Sequence, residues 1–245
     1  MLINGDCLEE LTKLEDDSVD LIITDPPYGV TRTKWDNEVD LEKLWYELHR
    51  VSKPESAIVM TSMQPFTSKL IQSNIENFKY EIIWEKSRGS NAVHAKYQPL
   101  KVHENIIIFS KLPSAYNKKH FMKYYPQFSE GKPYKYTKTS NFNEFLRGNK
   151  KFYDSDNPTG KRYPRSVIYF QSDSDKKERK LHPTQKPVKL FEYLIKTYSN
   201  IDDVVLDPFA GSGTTGVACN NIDRKYILIE KEKDYYNMIK DRLQC

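Results

Sequence analysis

No stretch of this sequence approaches the roughly 18 uninterrupted apolar residues that a membrane-spanning helix needs. The first residues, Met1-Leu-Ile-Asn-Gly-Asp6, carry no basic segment and no long apolar run, so no secretory signal is expected and a cytoplasmic location is. Cysteine is scarce. Cys7, Cys219 and Cys245 lie far apart with no CxxC pair, which fits neither a zinc site nor a disulfide framework and predicts reduced thiols. Nor does charge of one sign dominate, since 38 Lys+Arg face 34 Asp+Glu over 245 residues. What remains is a chain with 38% apolar residues and 29% charged ones. It has enough apolar side chain for a real core and the length of one domain with an insertion.

The net charge of +4 is unevenly placed. Residues 112–180 hold 16 Lys+Arg against 7 Asp+Glu, and the remaining chain holds 22 against 27. A slightly acidic body therefore carries a basic segment, which also contains eight Tyr and six Phe between Tyr116 and Phe170. Cations interleaved with flat rings suit contact with phosphates and bases; a merely soluble, tyrosine-rich insertion is the other reading of the same composition.

Both ends of the chain read as alternating strands and helices. Leu21–Thr24, Ala57–Met60, Tyr80–Trp84, Asn105–Phe109, Val204–Leu206 and Tyr226–Ile229 are short apolar runs of buried-strand type. Leu41, Leu44, Trp45, Leu48 and Val51 recur at helical steps. Further helices are predicted over Pro65–Ile75, from Pro187, from the glycine loop to about Asn220, and up to Arg242. This alternation predicts an α/β fold with a mostly parallel, doubly wound sheet. Tyr80–Trp84 and Asn105–Phe109 lack an intervening helix and are expected to pair antiparallel at an edge. Residues 112–180 show no sustained apolar period and are expected to stay outside the sheet. Within them, Asp173–Lys180 reads as a solvated linker.

Two motifs carry chemistry. Asp25-Pro26-Pro27-Tyr28 directly follows a buried strand, at the carboxyl edge where open α/β sheets hold their ligands. The prolines lock the backbone and donate nothing. A carboxylate and a fixed carbonyl side by side can take two hydrogens of an amino group, with the tyrosine ring against the attached base; an ordinary Asx-Pro turn is the plainer reading. The second motif is Asp207-Pro-Phe-Ala-Gly211-Ser-Gly213-Thr-Thr-Gly216, between a strand and a helix, with Glu230 ending the next strand. Glycines let backbone approach a nucleotide-like ligand, and an acidic strand end suits ribose hydroxyls. A dinucleotide or S-adenosylmethionine would fit that arrangement.

Together these residues resemble the amino-group DNA methyltransferases that modify adenine N6 or cytosine N4. The catalytic motif precedes the cofactor motif, as in the circularly permuted beta group. Asn4–Leu8, His182-Pro-Thr-Gln-Lys-Pro187 and Tyr226–Glu230 with Asp234–Tyr236 also fit, so the resemblance covers residues 1–111 and 181–243. It implies a Rossmann-like methyltransferase fold in which 1–111 is the catalytic half, 112–180 an inserted target-recognition region and 181–245 the cofactor-binding half. It further implies S-adenosylmethionine as cofactor and duplex DNA as partner, the target base being flipped and methylated by direct in-line transfer. Asp25 and the Pro26 carbonyl would accept from the amine, Pro27 would stiffen the turn and Tyr28 would stack on the base. Asp207, Phe209, Gly211, Ser212 and Gly213 would hold the methionine part, Glu230 the ribose, and Asp6 and Cys7 the region of the adenine ring. Lys186 and Thr184 are candidates for the methionine carboxylate. Asp at position 25 favours adenine, with cytosine the near alternative and a non-catalytic DNA-binding protein the remote one. A homodimer and a separately encoded restriction endonuclease stay open. Trp35 could line the base pocket or anchor a loop. Arg32, Lys34 and the stretch Arg88–Tyr97 are candidates for DNA contact. His94, His103 and His182 are not at metal-ligand spacing, and no metal is predicted.

Overall fold

The chain starts with a strand, β1 (Leu2–Asn4), and a short helix, α1 (Cys7–Leu11), whose first turn is capped by the Asp6 carboxylate accepting from the Leu8 N–H. The computed structural model describes residues 1–29, 39–114, 120–137, 154–171 and 185–244. β2 (Val19–Thr24) is buried at every position, as expected of a strand covered on both faces. Then follow α2 (Leu41–Val51), β3 (Ser52–Ser62), α3 (Phe66–Gln72), β4 (Phe78–Ser90), a single 3-10 turn at Ala92–His94 and β5 (Lys101–Phe109). Four short strands come next, β6 (Ser129–Glu130), β7 (Tyr134–Thr137), β8 (Asp154–Asn157) and β9 (Lys161–Arg162). The chain closes with β10 (Val167–Phe170), α4 (Val188–Tyr198), β11 (Val204–Asp207), α5 (Thr214–Asn221), β12 (Lys225–Glu230) and α6 (Lys233–Leu243). Pro187 stands just ahead of α4 with φ of −64°, already set for the first turn.

Eight strands form one sheet in the order β1-β12-β11-β2-β3-β5-β4-β10. Every pairing is parallel except the two made by β5, which runs against both β3 and β4. The antiparallel pair read from the sequence is therefore present, with its reversed strand two places in from the edge. Period-two alternation splits the core between the sheet's faces. Leu21, Ile23, Val59, Ile106 and Ile108 pack under Leu190, Leu194 and Ile195 of α4 and Ala218 of α5. Ile22, Ile58, Met60, Ile107 and Phe109 pack under Leu44, Trp45 and Leu48 of α2 and Phe66 and Leu70 of α3.

Composition keeps residues 112–180 out of the sheet, and here the structure differs at both ends of that span. Val167–Phe170 is the outermost strand β10, in register with Ile83–Lys86, and its Phe170 carbonyl accepts from Trp84 Nε1 at 2.9 Å. Four residues alternating between exposed and half-buried are too few for a period to be read. Met122 is buried in the core, and the Lys123 ammonium is held by Asp20 at 2.9 Å and Asp203 at 3.1 Å. Lys123 is thus an internal ion pair and no part of a basic surface.

By contact density the chain divides into two compact units, Met1–Tyr125 with Ser166–Cys245, and Pro126–Arg165. In the second, β6 pairs with β9 and β7 with β8, both antiparallel. Among its described residues, cations meet aromatic rings: the Arg162 guanidinium lies 4.6 Å from the Tyr134 ring centre and Phe128 packs on Tyr163. Among the described residues, no helix is long and apolar enough to cross a membrane.

Candidate active site

Parallel strands deliver their carboxyl ends to one side of a sheet, and ligands bind there. At that edge Asp25 follows β2, Asp207 ends β11 and Glu230 ends β12. Because β5 runs the other way, its first residues come to the same edge, with Asn105 opposite Ser62 and Glu104 opposite Trp84. Four carboxylates from distant parts of the chain thereby share one edge of the sheet.

Asp25 is the most heavily engaged. Its Oδ1 accepts from the Tyr28 hydroxyl at 2.6 Å and from the Thr61 hydroxyl, and its Oδ2 accepts from Lys186 Nζ at 2.6 Å. Burial, reinforced by the Asp25 charge, pushes the Tyr28 phenol well above its ordinary range, so it stays a protonated donor. Phe66 stacks on the Tyr28 ring at 5.2 Å between centres and covers one of its faces. Pro26 is buried and Pro27 half-buried.

The glycine loop is built around two further carboxylates. Asp207 is buried, its Oδ1 accepting from the Thr24 hydroxyl at 2.6 Å and the Phe209 N–H at 3.1 Å, its Oδ2 from the Thr215 hydroxyl. Thr24 is the residue before Asp25, so this bond ties the two motifs directly together. Gly211 and Gly213 have φ of +52° and +74°, a left-handed backbone that only glycine adopts cheaply. A Cβ on Gly213 would also sit 2.9 Å from Ile239. Glu230 Oε2 accepts from the Gly211 N–H at 2.8 Å and Oε1 from the Glu232 N–H at 2.8 Å. Burial raises its carboxyl above the usual range.

β1 lies in register beside β12, Asn4 opposite Glu230. That pairing brings Asp6 to the same corner, where Lys231 Nζ lies 3.1 Å from its Oδ2. Although burial works the other way, the Lys231 and Leu8 donors hold the Asp6 carboxyl below its ordinary range. The Cys7 thiol is buried and pushed up to about 12; burial does the same to Cys219, so neither is a nucleophilic thiolate. Phe209 is half-buried against the α2–α3 side of the core. The Ser212 hydroxyl is within 3.0 Å of that of Thr214, and Arg242 donates to the Ser212 carbonyl at 2.7 Å.

Asp207 also carries a test. Burial, with the Asp25 charge adding to it, pushes its carboxyl up to about 6 despite three hydrogen-bond donors. The unfolded chain's aspartates titrate near 4, so this group's contribution to stability is complete below about pH 4 and lost as pH rises through about 6. Relative to Asp207→Asn, wild-type stability should fall by about 3 kcal/mol across that interval, measured by denaturant unfolding at each pH. A difference that stays flat from pH 4 to 6 would exclude the raised carboxyl.

Most of the predicted residues thus converge on one sheet edge. Lys186 arrives there too, but its ammonium is on Asp25 and not on the glycine loop. Thr184, His182, Trp35, Arg32 and Lys34 lie outside the described residues. Sequence reading misses Thr61, Glu104 and Lys86. The one signal was polarity where apolar strands end, at Thr61-Ser62 and Glu104-Asn105. Among the described residues, no group of three or more His, Cys, Asp or Glu side chains could hold a metal ion.

Comparison with known proteins bears on this geometry. A family model described as DNA methylase matches residues 19–241. The chain is 32% identical to the type II methyltransferase M.HpaI of Haemophilus parainfluenzae, over 99% of this chain and 73% of that protein. It is 30% identical to the DNA adenine methyltransferase YhdJ of Escherichia coli (strain K12), over 97% of this chain and 80% of that protein. Among solved structures, the M1.HpyAVI–SAM complex matches with a TM-score of 0.64 at 27% identity, covering 100% of this chain and 99% of that one. The PvuII DNA methyltransferase, cytosine-N4-specific, matches with a TM-score of 0.68 at 18% identity over 98% of this chain and 85% of its own, a likeness of fold.

Proposed function

This chain belongs to the DNA methylase family, and from that premise we propose that it transfers the methyl group of S-adenosylmethionine to the exocyclic N6 amine of adenine in duplex DNA. One observation carries the reading. The Asp25 carboxylate and the Glu230–Gly211 cradle stand at the same sheet edge, joined through the Thr24–Asp207 hydrogen bond. When bound, the cofactor supplies a methyl group on a sulfonium, whose positive charge suits a corner lined by Asp6, Asp207 and Glu230. Glu230 holds the ribose hydroxyls; the left-handed backbone at Gly211 and Gly213, with Ser212, Phe209 and Asp207, shapes the methionine pocket; and Asp6 and Cys7 border the adenine ring. On resemblance, Thr184, outside the described residues, would serve the methionine carboxylate.

Asp25 and the Pro26 carbonyl accept hydrogens from the target amine, which directs its lone pair at the methyl carbon. Phe66 stacks on Tyr28, and Lys186 Nζ lies over the same ring 5.9 Å from its centre; on the resemblance, the target base would stack against this ring. The adenine assignment rests on Asp at position 25 and on the similarity to an adenine methyltransferase. Mass spectrometry of digested, methylated DNA should find N6-methyladenine; N4-methylcytosine alone would overturn the base assignment while leaving the reaction class intact.

Duplex DNA is the partner this chemistry requires. We assign residues 1–111 to the catalytic half, 181–245 to the cofactor half and 112–180, less its anchored ends, to target recognition. A second contact is the hairpin between β4 and β5. From Lys86 to His103 there is no acidic residue, and Val93 and Tyr97 are 88% and 86% exposed at its tip. Lys96→Ala should weaken duplex binding and lower the slope of log affinity against log salt by about 0.9, the release of one phosphate's counterion. An unchanged slope would remove the hairpin from the DNA contact.

A further inference from the structure

From Asp25 a chain of alternating charges runs through Lys186, Glu104 and Lys86, three residues to which the proposed transfer assigns no role. Lys186 Nζ lies 2.6 Å from Asp25 Oδ2 and 3.5 Å from Glu104 Oε2, and Lys86 Nζ lies 3.1 Å from Glu104 Oε1. All four groups are shielded, with Lys186 and Glu104 buried outright. A buried ammonium or carboxylate persists only with partners. Here burial depresses Lys186 but the Asp25 and Glu104 charges outweigh it, and burial raises Glu104 but the two lysines outweigh that. Glu104 Oε2 has no hydrogen-bond partner, so its hold on Lys186 is electrostatic attraction across 3.5 Å.

Counting acceptors on Asp25 locates its working atom. A carboxylate offers about four lone-pair directions, two on each oxygen. Tyr28 and Thr61 occupy Oδ1 and Lys186 occupies one direction of Oδ2. Among the described residues, the direction left is on Oδ2, beside the lysine. Lys186 is also tied to the cofactor half through its main chain, its carbonyl accepting from the Thr214 hydroxyl at 3.3 Å.

We infer that Lys186 and Glu104 are positioning residues for methyl transfer, the lysine aiming Asp25 Oδ2 at the target amine and the glutamate holding the lysine in place. This rests on the methyltransferase reading proposed for the site. It gives Lys186 a task distinct from gripping the methionine carboxylate of the cofactor. The two tasks separate kinetically, because a positioning contact acts on the transition state and a cofactor ligand acts on binding.

The experiment is single-turnover methyl transfer to duplex DNA with saturating S-adenosylmethionine, alongside calorimetric cofactor affinity, for Lys186→Met, Lys186→Arg, Glu104→Gln and the double variant Lys186→Met/Glu104→Gln. Lys186→Met should slow transfer about 100-fold and Glu104→Gln about tenfold, the range seen when a preorganised contact is removed. Cofactor affinity should stay within about threefold of wild type, and Lys186→Arg should recover about tenfold of the loss. Because Glu104 acts through Lys186, the double variant should be no slower than Lys186→Met alone. The inference is overturned if Lys186→Met weakens cofactor binding and leaves the saturated rate intact, or if the two losses multiply. Should Lys186→Met not fold, the isosteric Glu104→Gln and the charge-keeping Lys186→Arg decide the matter by the same readouts. A wild-type protein that binds S-adenosylmethionine but transfers no methyl would instead remove the methyltransferase reading, and this inference with it.

Discussion

Asp25→Ala should transfer methyl groups to duplex DNA at least about a thousandfold more slowly than wild type, the scale of losing a positioned acceptor and the electrostatics around it. The carboxylate sits at the end of a strand buried at all six positions and is held by Tyr28, Thr61 and Lys186, so its geometry is set before substrate arrives. Removing it takes away the acceptor that orients the amine and strands the buried Lys186 ammonium beside Glu104 alone. Cofactor affinity should change little, since among the described residues Asp25 meets the glycine loop only at second hand, through Thr24 with Asp207 and through Lys186 with Thr214. Labelled-methyl transfer with calorimetry on the same sample measures both quantities. Transfer at the wild-type rate would remove Asp25 from the mechanism.

Glu230→Ala should do the reverse. Its two oxygens hold the Gly211 and Glu232 N–H groups at 2.8 Å each, so the side chain both shapes the loop and offers its remaining lone pairs to ribose hydroxyls. Hydrogen bonds to a charged group contribute about 1.5–3 kcal/mol each, and losing this one should weaken cofactor binding roughly 100-fold. The transfer rate at saturating cofactor should stay near wild type. The pH dependence has a definite sign. The ionised carboxylate is the acceptor and burial raises its carboxyl above the ordinary glutamate range, so wild-type affinity should fall as pH drops, beginning at a higher pH than an exposed glutamate would give. Calorimetric titration between pH 5 and 8 would show it; affinity independent of pH in wild type would place the ribose elsewhere.

The two motifs were legible because each is local. Asp25-Pro-Pro-Tyr28 and Asp207–Gly216 follow apolar runs, and a strand end followed by prolines or glycines states its own geometry. The alternation of strands and helices was legible for the same reason, down to the missing helix between β4 and β5. Val167–Phe170 was not, because four residues carry too little period to outweigh a basic, aromatic setting. Lys123 was counted with the basic segment for a similar reason: its neighbours are cationic, and only the folded chain shows Asp20 and Asp203 beside it. Cys7 and Asp6 could be placed near Glu230 from resemblance alone; the register of Asn4 against Glu230 supplies the physical reason.

Composition, spacing and backbone chemistry act over a few residues, and from them follow the α/β class, the two motifs, their order and the basic segment between them. Tertiary structure alone decided which charges meet. Glu104 reaches the site only because β5 runs antiparallel, and Lys186 faces Asp25 from 161 residues away. Pairings of that kind depend on sheet order and register, which no local pattern encodes, because partner and distance are set only when the whole core closes.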